Sequence, residues 1–144
     1  MHWDQFLDTA DSLLLGTSEG DWRSAVSRAY YSLFHYFREF FILNGLDVGR
    51  GGQSHFNLYS GLLNCGVVEA AGFGTRLDDL RSQRIWADYD PRKTLDQATA
   101  IVQTQGARKM KTDFQALLRT IPSAQIVAGA RRHLQAIGKL GKTP

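Results

Sequence analysis

Cysteine is almost absent from this sequence: Cys65 is the only one among 144 residues, and the four histidines are scattered. A single cysteine cannot form a disulfide within the chain, and these residues lack the spacing of zinc ligands. We therefore expect no metal ion, and no cofactor is indicated. Any chemistry must come from ordinary polar side chains.

Long apolar runs are absent as well. No stretch approaches the roughly 18 consecutive apolar residues that a membrane-spanning helix needs. The opening residues, MHWDQFLD, carry acids where a signal peptide carries a basic region. We therefore expect a soluble, cytoplasmic protein with no membrane partner, and the length of 144 residues fits one domain.

Proline is scarce too, because Pro91, Pro122 and Pro144 are the only three and residues 1–90 contain none. Apolar residues recur there at steps of three and four, which is the period of one helix face. No segment alternates apolar and polar residues as a half-buried strand does. The sequence therefore predicts an all-α fold, an antiparallel up-and-down bundle of about five helices.

Capping residues and helix breakers predict where the helices begin. Asp21 is predicted as the N-cap of the longest helix. Gly72 and Gly74 are expected to interrupt the fourth helix, so that its regular part begins near Thr75. Pro91 is predicted to open the next helix, because the first turn of a helix needs no backbone donor there.

Charge is distributed unevenly along the chain. Residues 1–90 carry 7 basic and 12 acidic side chains, whereas residues 91–144 carry 10 basic and 2 acidic ones. We divide the chain into a helical bundle, residues 1–120, and a basic C-terminal helix and tail, residues 121–144. A basic segment of this kind attracts nucleic acid or an acidic protein, or it is simply a solvated face.

Two groups of polar residues have helical spacing. In the longest helix, one stripe holds Arg28, Tyr31, His35 and Arg38. In the segment LDDLRSQRIWADYD, one face holds Arg81, Arg84 and Asp88, with Tyr89 on a neighbouring line. These groups could hold a phosphate or a nucleotide. Alternatively, the first group packs and snorkels, and the second contains a surface ion pair.

Three motifs occur in a distinctive order: SRAYYSLFHYFREFFILNG, then a histidine in QSHFNLYSGLL, then an arginine followed by ADY in RIWADYD. In this order they resemble the HEPN superfamily, in particular its prokaryotic branch with an Arg-x-x-Ala-Asp-Tyr motif, over about residues 1–115. The resemblance implies a four- or five-helix bundle that forms a homodimer. It also implies a metal-independent ribonuclease, often a toxin encoded beside a minimal nucleotidyltransferase antitoxin.

The resemblance also suggests roles for individual residues. It implies a catalytic group of Arg84, Asp88 and Tyr89. We add an RNA- or nucleotide-binding group: Arg28, Tyr31, His35, Arg38, His55 and Arg81. In catalytic members the arginine is followed after about four to six residues by a histidine that handles a proton, while the arginine holds the phosphorane charge.

That histidine is missing here, because the corresponding positions hold Tyr89, Asp90 and Pro91. Either His35 or His55 takes its place, or Tyr89 moves the proton beside the arginines. By analogy with toxin–antitoxin pairs, Tyr89 is also a candidate for modification with AMP. Three hypotheses remain open: a dimeric ribonuclease, a module that binds RNA or a nucleotide without cutting it, and a structural network that locks the helices and the dimer.

Overall fold

The computed structural model describes residues 1–140. These residues form six helices and no strand, so the all-α prediction is confirmed, with one helix more than the expected five. The helices are α1 (Asp4–Leu14), α2 (Glu19–Leu43), α3 (Gln53–Leu63), α4 (Val68–Tyr89), α5 (Gln97–Leu117) and α6 (Ser123–Ala136). Within residues 1–140, no helix is both long enough and apolar enough to cross a membrane.

The central helix is α2, against which α1, α3, α4 and α5 all pack. Its apolar face buries Tyr30, Phe37 and Phe41 almost completely. Phe114 of α5 packs on this face, with its ring centroid 4.8 Å from that of Phe37 and 5.0 Å from that of Phe73 on α4. Burial of such large rings contributes much of the stability of a domain of this size.

The N-terminus of α2 is capped by Ser18, so the prediction of Asp21 as its N-cap is wrong. The hydroxyl of Ser18 accepts a hydrogen bond from the backbone N–H of Asp21 at 3.1 Å. Asp21 instead lies in the first turn of α2, where its negative charge interacts favourably with the helix dipole. Both residue types cap helices, so the sequence alone could not choose between them.

Helix α4 begins at Val68 and runs through both glycines that the sequence predicts as interruptions. A Cβ atom at Gly74 would collide with the backbone nitrogen of Leu63 and would lie 2.6 Å from the carbonyl oxygen of Tyr59. Gly74 therefore allows α3 and α4 to approach closely. Tertiary packing outweighs the low helix propensity of glycine at this position.

Helix α5 begins at Gln97 and not at Pro91, so the predicted start is wrong. Asp96 is its N-cap, because the Asp96 carboxylate accepts a hydrogen bond from the N–H of Thr99 at 2.8 Å. The preceding loop is anchored by Leu95, whose side chain is buried and whose N–H donates to the Glu19 carboxylate at 2.9 Å. This anchor fixes an extended connection that a helix beginning at the proline would disrupt.

Helix α6 packs against α3, so the predicted C-terminal segment contributes to the core. Ile126, Val127 and Leu134 of α6 are buried. A Cβ atom at Gly129 would collide with the carbonyl group of Cys65, which shows how closely α6 approaches the turn after α3. The end of the predicted basic tail, residues 141–144, lies outside the described residues.

Candidate functional site

Arg84 is held on α4 with its side chain only 9% exposed. The central carbon of its guanidinium lies 5.4 Å from the ring centroid of Tyr30, 5.1 Å from that of Tyr31 and 5.9 Å from that of Tyr89. Its Nε atom is buried without a hydrogen-bond partner. A cation placed between aromatic rings is stabilised by their faces, but it keeps unused hydrogen-bonding capacity.

Asp88 joins α4 to α2. One of its carboxylate oxygens lies 3.6 Å from Nη1 of Arg84 and accepts a hydrogen bond from the hydroxyl of Ser27 at 3.1 Å. The Arg84–Asp88 pair is thus more enclosed than a surface ion pair, because the Asp88 side chain is only 28% exposed. Tyr89, the next residue, is 72% exposed. The pair orients Arg84, and Tyr89 presents a ring to solvent beside it.

His55 of α3 contacts the same cluster through Tyr30. Its Nδ1 atom lies 2.5 Å from the Tyr30 hydroxyl, and its ring stacks on Phe34 with centroids 4.3 Å apart. Burial, followed by the charges of Arg84 and Arg81, lowers the pKa of His55 to about 4, while burial raises the pKa of Tyr30. At neutral pH the imidazole is therefore uncharged and the phenol protonated, so His55 is able to accept a proton.

Two of the predicted arginines lie over the ring of Tyr31. The guanidinium carbon of Arg28 lies 5.6 Å from its ring centroid, and that of Arg84 lies 5.1 Å from it. Arg28 also lies 5.0 Å from the ring centroid of Phe6. The structure thus places Arg28 and Tyr31 of α2 beside Arg84 of α4.

The other predicted residues lie at the edges of this cluster. Arg81 lies 5.9 Å from the ring centroid of Tyr59, and its Nε atom is buried without a partner. Arg38 instead binds the loop after α2, where its Nε donates to the carbonyl of Gly49 at 3.0 Å and its Nη2 lies 3.8 Å from Asp47. The four arginines therefore do not all converge, because Arg38 is already engaged by this loop.

His35 also lies away from Arg84. Its ring stacks on Trp3 with centroids 3.9 Å apart. Burial, followed by the positive charges of Arg38 and Arg28, lowers the pKa of His35. We call the residues around Arg84 the arginine–tyrosine face: Arg28, Tyr31, His55, Arg81, Arg84, Asp88 and Tyr89. His35 and Arg38 lie beside this face and not in it.

Sequence reasoning missed Arg23, which holds the end of α4 in place. Its Nη1 donates to the carbonyl groups of Ala87 and Asp90, each at 2.9 Å, and to that of Trp86 at 3.2 Å. Its Nε donates to the Glu19 carboxylate at 2.9 Å. The Glu19–Arg23 spacing predicts a helix pair, but no sequence pattern indicates that the arginine also satisfies carbonyls of another helix.

Within the described part of the chain, no group of three or more His, Cys, Asp or Glu side chains could hold a metal ion. Searches against protein-family models, curated proteins and solved structures found no match to this chain.

Proposed function

We propose that this chain is an HEPN-type up-and-down helical bundle that binds RNA at the arginine–tyrosine face. One observation carries the proposal: the guanidinium carbons of Arg28 and Arg84 both lie within about 6 Å of the ring centroid of Tyr31, at 5.6 Å and 5.1 Å. Arginines bind phosphate oxygens through charge-assisted hydrogen bonds, and aromatic rings stack on nucleobases. The face combines both groups within one short stretch of surface.

The charges on this face support an anionic ligand. Among the described residues, the ion pair with Asp88 is the only one that Arg28, Arg81 and Arg84 make. The charges of Arg81, Arg84 and Asp78 all act on nearby Tyr30, so positive charge exceeds negative charge around this ring. The excess positive charge attracts phosphates and makes binding dependent on salt.

We propose RNA cleavage as a second activity of the same face, supported by the position of the uncharged His55 across Tyr30 from Arg84. His55 takes the proton of a 2′-hydroxyl group, whose oxygen then bonds to the adjacent phosphorus. The bond from phosphorus to the 5′-oxygen breaks, which leaves a cyclic phosphate. The released 5′-oxygen takes a proton from water and becomes a hydroxyl group. Arg84 stabilises the phosphorane charge, and Asp88 orients Arg84.

The tautomer of His55 matters for this step. When Nδ1–H donates to the Tyr30 oxygen, Nε2 is free to accept the proton. The family resemblance further supports a homodimer, a nucleotidyltransferase antitoxin as partner and Tyr89 as the acceptor of AMP. These assignments rest on the resemblance and not on geometry.

A non-catalytic role is the alternative, and one observation favours it. Ser27, Asp88 and Arg84 form a polar network between α2 and α4. Such a network could stabilise the helices, or a dimer, without touching RNA.

Binding is tested by titrating labelled single-stranded RNA against the wild type and Arg84→Gln and following fluorescence anisotropy. Arg76→Gln is the matched control, because Arg76 is also on α4 but pairs with Asp113 of α5. We expect Arg84→Gln to weaken binding about 10-fold or more and Arg76→Gln to change it little. No binding by a folded wild type would reject the proposal.

Cleavage is tested by inducing the wild type, Arg84→Ala and His55→Gln in a bacterium, with folding checked by circular dichroism. We expect growth arrest and RNA cleavage from the wild type only. Arrest and cleavage that survive in His55→Gln would exclude His55 as the proton acceptor. Intact RNA after induction of the folded wild type would reject the cleavage proposal, and the non-catalytic role would then stand.

A further inference from the structure

A second groove lies beside the arginine–tyrosine face, between the N-terminus of the chain and the loop after α2. It has a volume of about 280 Å³ and is lined by Trp3, Phe34, His35, Arg38 and Arg50. This volume is slightly below the ~300–1,000 Å³ of typical sites for drug-sized ligands. Three of the lining residues are aromatic, two are arginines and none is acidic.

Trp3 is fixed in this groove before any ligand arrives. Its carbonyl oxygen accepts a hydrogen bond from the buried hydroxyl of Ser32 at 3.0 Å. Its ring lies nearly parallel to that of His35, at an angle of 12°, whereas Phe6 meets it edge-on at 80°. The tryptophan is still partly exposed. A pre-ordered ring of this kind binds a planar group with little loss of conformational entropy.

Two arginines line this groove together with the stacked rings. Arg38 is held by the carbonyl of Gly49 and lies 3.8 Å from Asp47, whereas Arg50 is exposed on the same loop. On α2, Arg28 and Arg38 both lower the pKa of His35, so the ring lies within the field of both charges. Arg28 in turn contacts Tyr31 of the arginine–tyrosine face. Positive charge therefore continues from one surface to the other.

We propose that this groove is a base-binding subsite for single-stranded RNA, in which one nucleobase stacks on Trp3 and the adjoining phosphate contacts Arg50. This proposal rests on the proposed function, RNA binding at the arginine–tyrosine face. It adds that the RNA must present at least one unstacked base. The strand continues past Arg28 toward Arg84. A duplex does not satisfy this subsite, because its bases are already stacked on one another.

The test compares two ligands with the same number of phosphates. One is an oligouridine of about ten nucleotides, within the site sizes of single-strand binding proteins, and the other is an abasic oligomer of equal length. We expect the wild type to bind oligouridine about 5- to 100-fold more tightly than the abasic oligomer. In Trp3→Leu this ratio should fall by the contribution of one stacked base, about 5-fold or more, while stacking on Tyr31 or Tyr89 is unaffected. Trp3→Phe should lose less, because only phenylalanine retains a ring.

A second measurement uses the unaltered protein, in case Trp3→Leu does not fold. The indole N–H resonance of Trp3 should shift with oligouridine and not with the abasic oligomer. That of Trp22, whose N–H donates to the carbonyl of Gly16 at 3.0 Å, serves as the internal control. Equal binding of both oligomers by the wild type, weakened for both in Arg84→Gln, would overturn the subsite and leave the proposed function standing. A uridine preference of the same size in folded Trp3→Leu as in the wild type would also overturn it. If the folded wild type binds neither oligomer, both proposals fall.

Discussion

The hydroxyl of Tyr30, on the buried face of α2, lies 2.5 Å from Nδ1 of His55 on α3. This contact joins a phenol that stays protonated to an imidazole that stays neutral at pH 7, because burial raises the pKa of Tyr30 and lowers that of His55. Protonating His55 would place a cation beside Arg84 and Arg81, whose charges already lower its pKa. Without a bound anion, the folded state therefore disfavours protonation of this histidine; a phosphate bound to Arg84 would offset this effect.

We expect the free energy of unfolding to fall as the pH is lowered from about 6.5 to about 4. The pKa of His55 is about 4 in the folded protein but about 6.5 in an unfolded chain, so the unfolded state binds more protons in this window. The lowered pKa of His35 acts in the same direction. Carboxylates such as Asp113, whose pKa is lowered by Lys109, lose their contribution only at lower pH.

Urea unfolding at several pH values checks this prediction. His55→Gln should show a smaller dependence on pH than the wild type over the same window, whatever its absolute stability. An identical slope in the two proteins would contradict the assignment.

The contacts of Arg23 predict that removing this one side chain lowers the free energy of unfolding substantially. Arg23→Ala removes the donor to the carbonyl groups of Trp86, Ala87 and Asp90 and leaves the end of α4 without it. We expect a loss of about 2–3 kcal/mol, since hydrogen bonds from a charged group are stronger than neutral ones. Chemical denaturation measures it. Arg92→Ala is the control, because the Arg92 side chain is 88% exposed and pairs with neighbouring Asp90. An equal loss there would refute the explanation.

The two glycines of α4 should respond in opposite directions to the same substitution. Gly74→Ala forces a methyl group against the backbone of Leu63 and should cost about 1–3 kcal/mol. Gly72→Ala places the methyl group in open space and should stabilise the protein by about 0.5–1 kcal/mol, because alanine favours the helix. Thermal unfolding measures the stability of both variants. Destabilisation by Gly72→Ala as well as by Gly74→Ala would contradict the prediction.

Local patterns predicted the helical class, and the errors in the helix boundaries have one physical cause. Helical spacing placed Arg28 and Tyr31 on one stripe of α2. It could not show that this stripe meets Arg84 of α4, because that contact depends on how the two helices pack. Gly74 and Pro91 were misinterpreted because local propensity was outweighed by contacts with distant parts of the chain. The close approach at Leu63 and the anchor at Leu95 are such contacts.

The same limit applies to the site. Helical spacing cannot reveal that Arg38 binds the loop at Gly49, or that Arg23 reaches the end of α4. His55 and Tyr30 belong to two different motifs and are 25 residues apart in the chain. Both motifs can be found in the sequence, but only the packing of α3 on α2 and α4 brings the two side chains into contact.

Asp88→Asn should strengthen RNA binding, which distinguishes a phosphate-binding face from a purely structural network. The asparagine oxygen can still accept the hydrogen bond from Ser27, but the negative charge beside Arg84 is gone. Removing one repulsive charge near a phosphate is worth about 1 kcal/mol, so affinity for single-stranded RNA should rise about 5-fold at low salt and less at high salt. Anisotropy titrations at two salt concentrations measure the change.

Asp113→Asn is the matched control for this prediction, because Asp113 pairs with Arg76 and Lys109 beside α5, away from the arginine–tyrosine face. It should leave RNA affinity nearly unchanged. If Asp88 serves only to lock α2 to α4, its replacement should instead lower the free energy of unfolding without tightening RNA binding. A gain in affinity confined to Asp88→Asn would therefore indicate that the hydrogen-bonding groups of Arg84 bind phosphate. A carboxylate with a purely structural role does not predict tighter binding when its charge is removed.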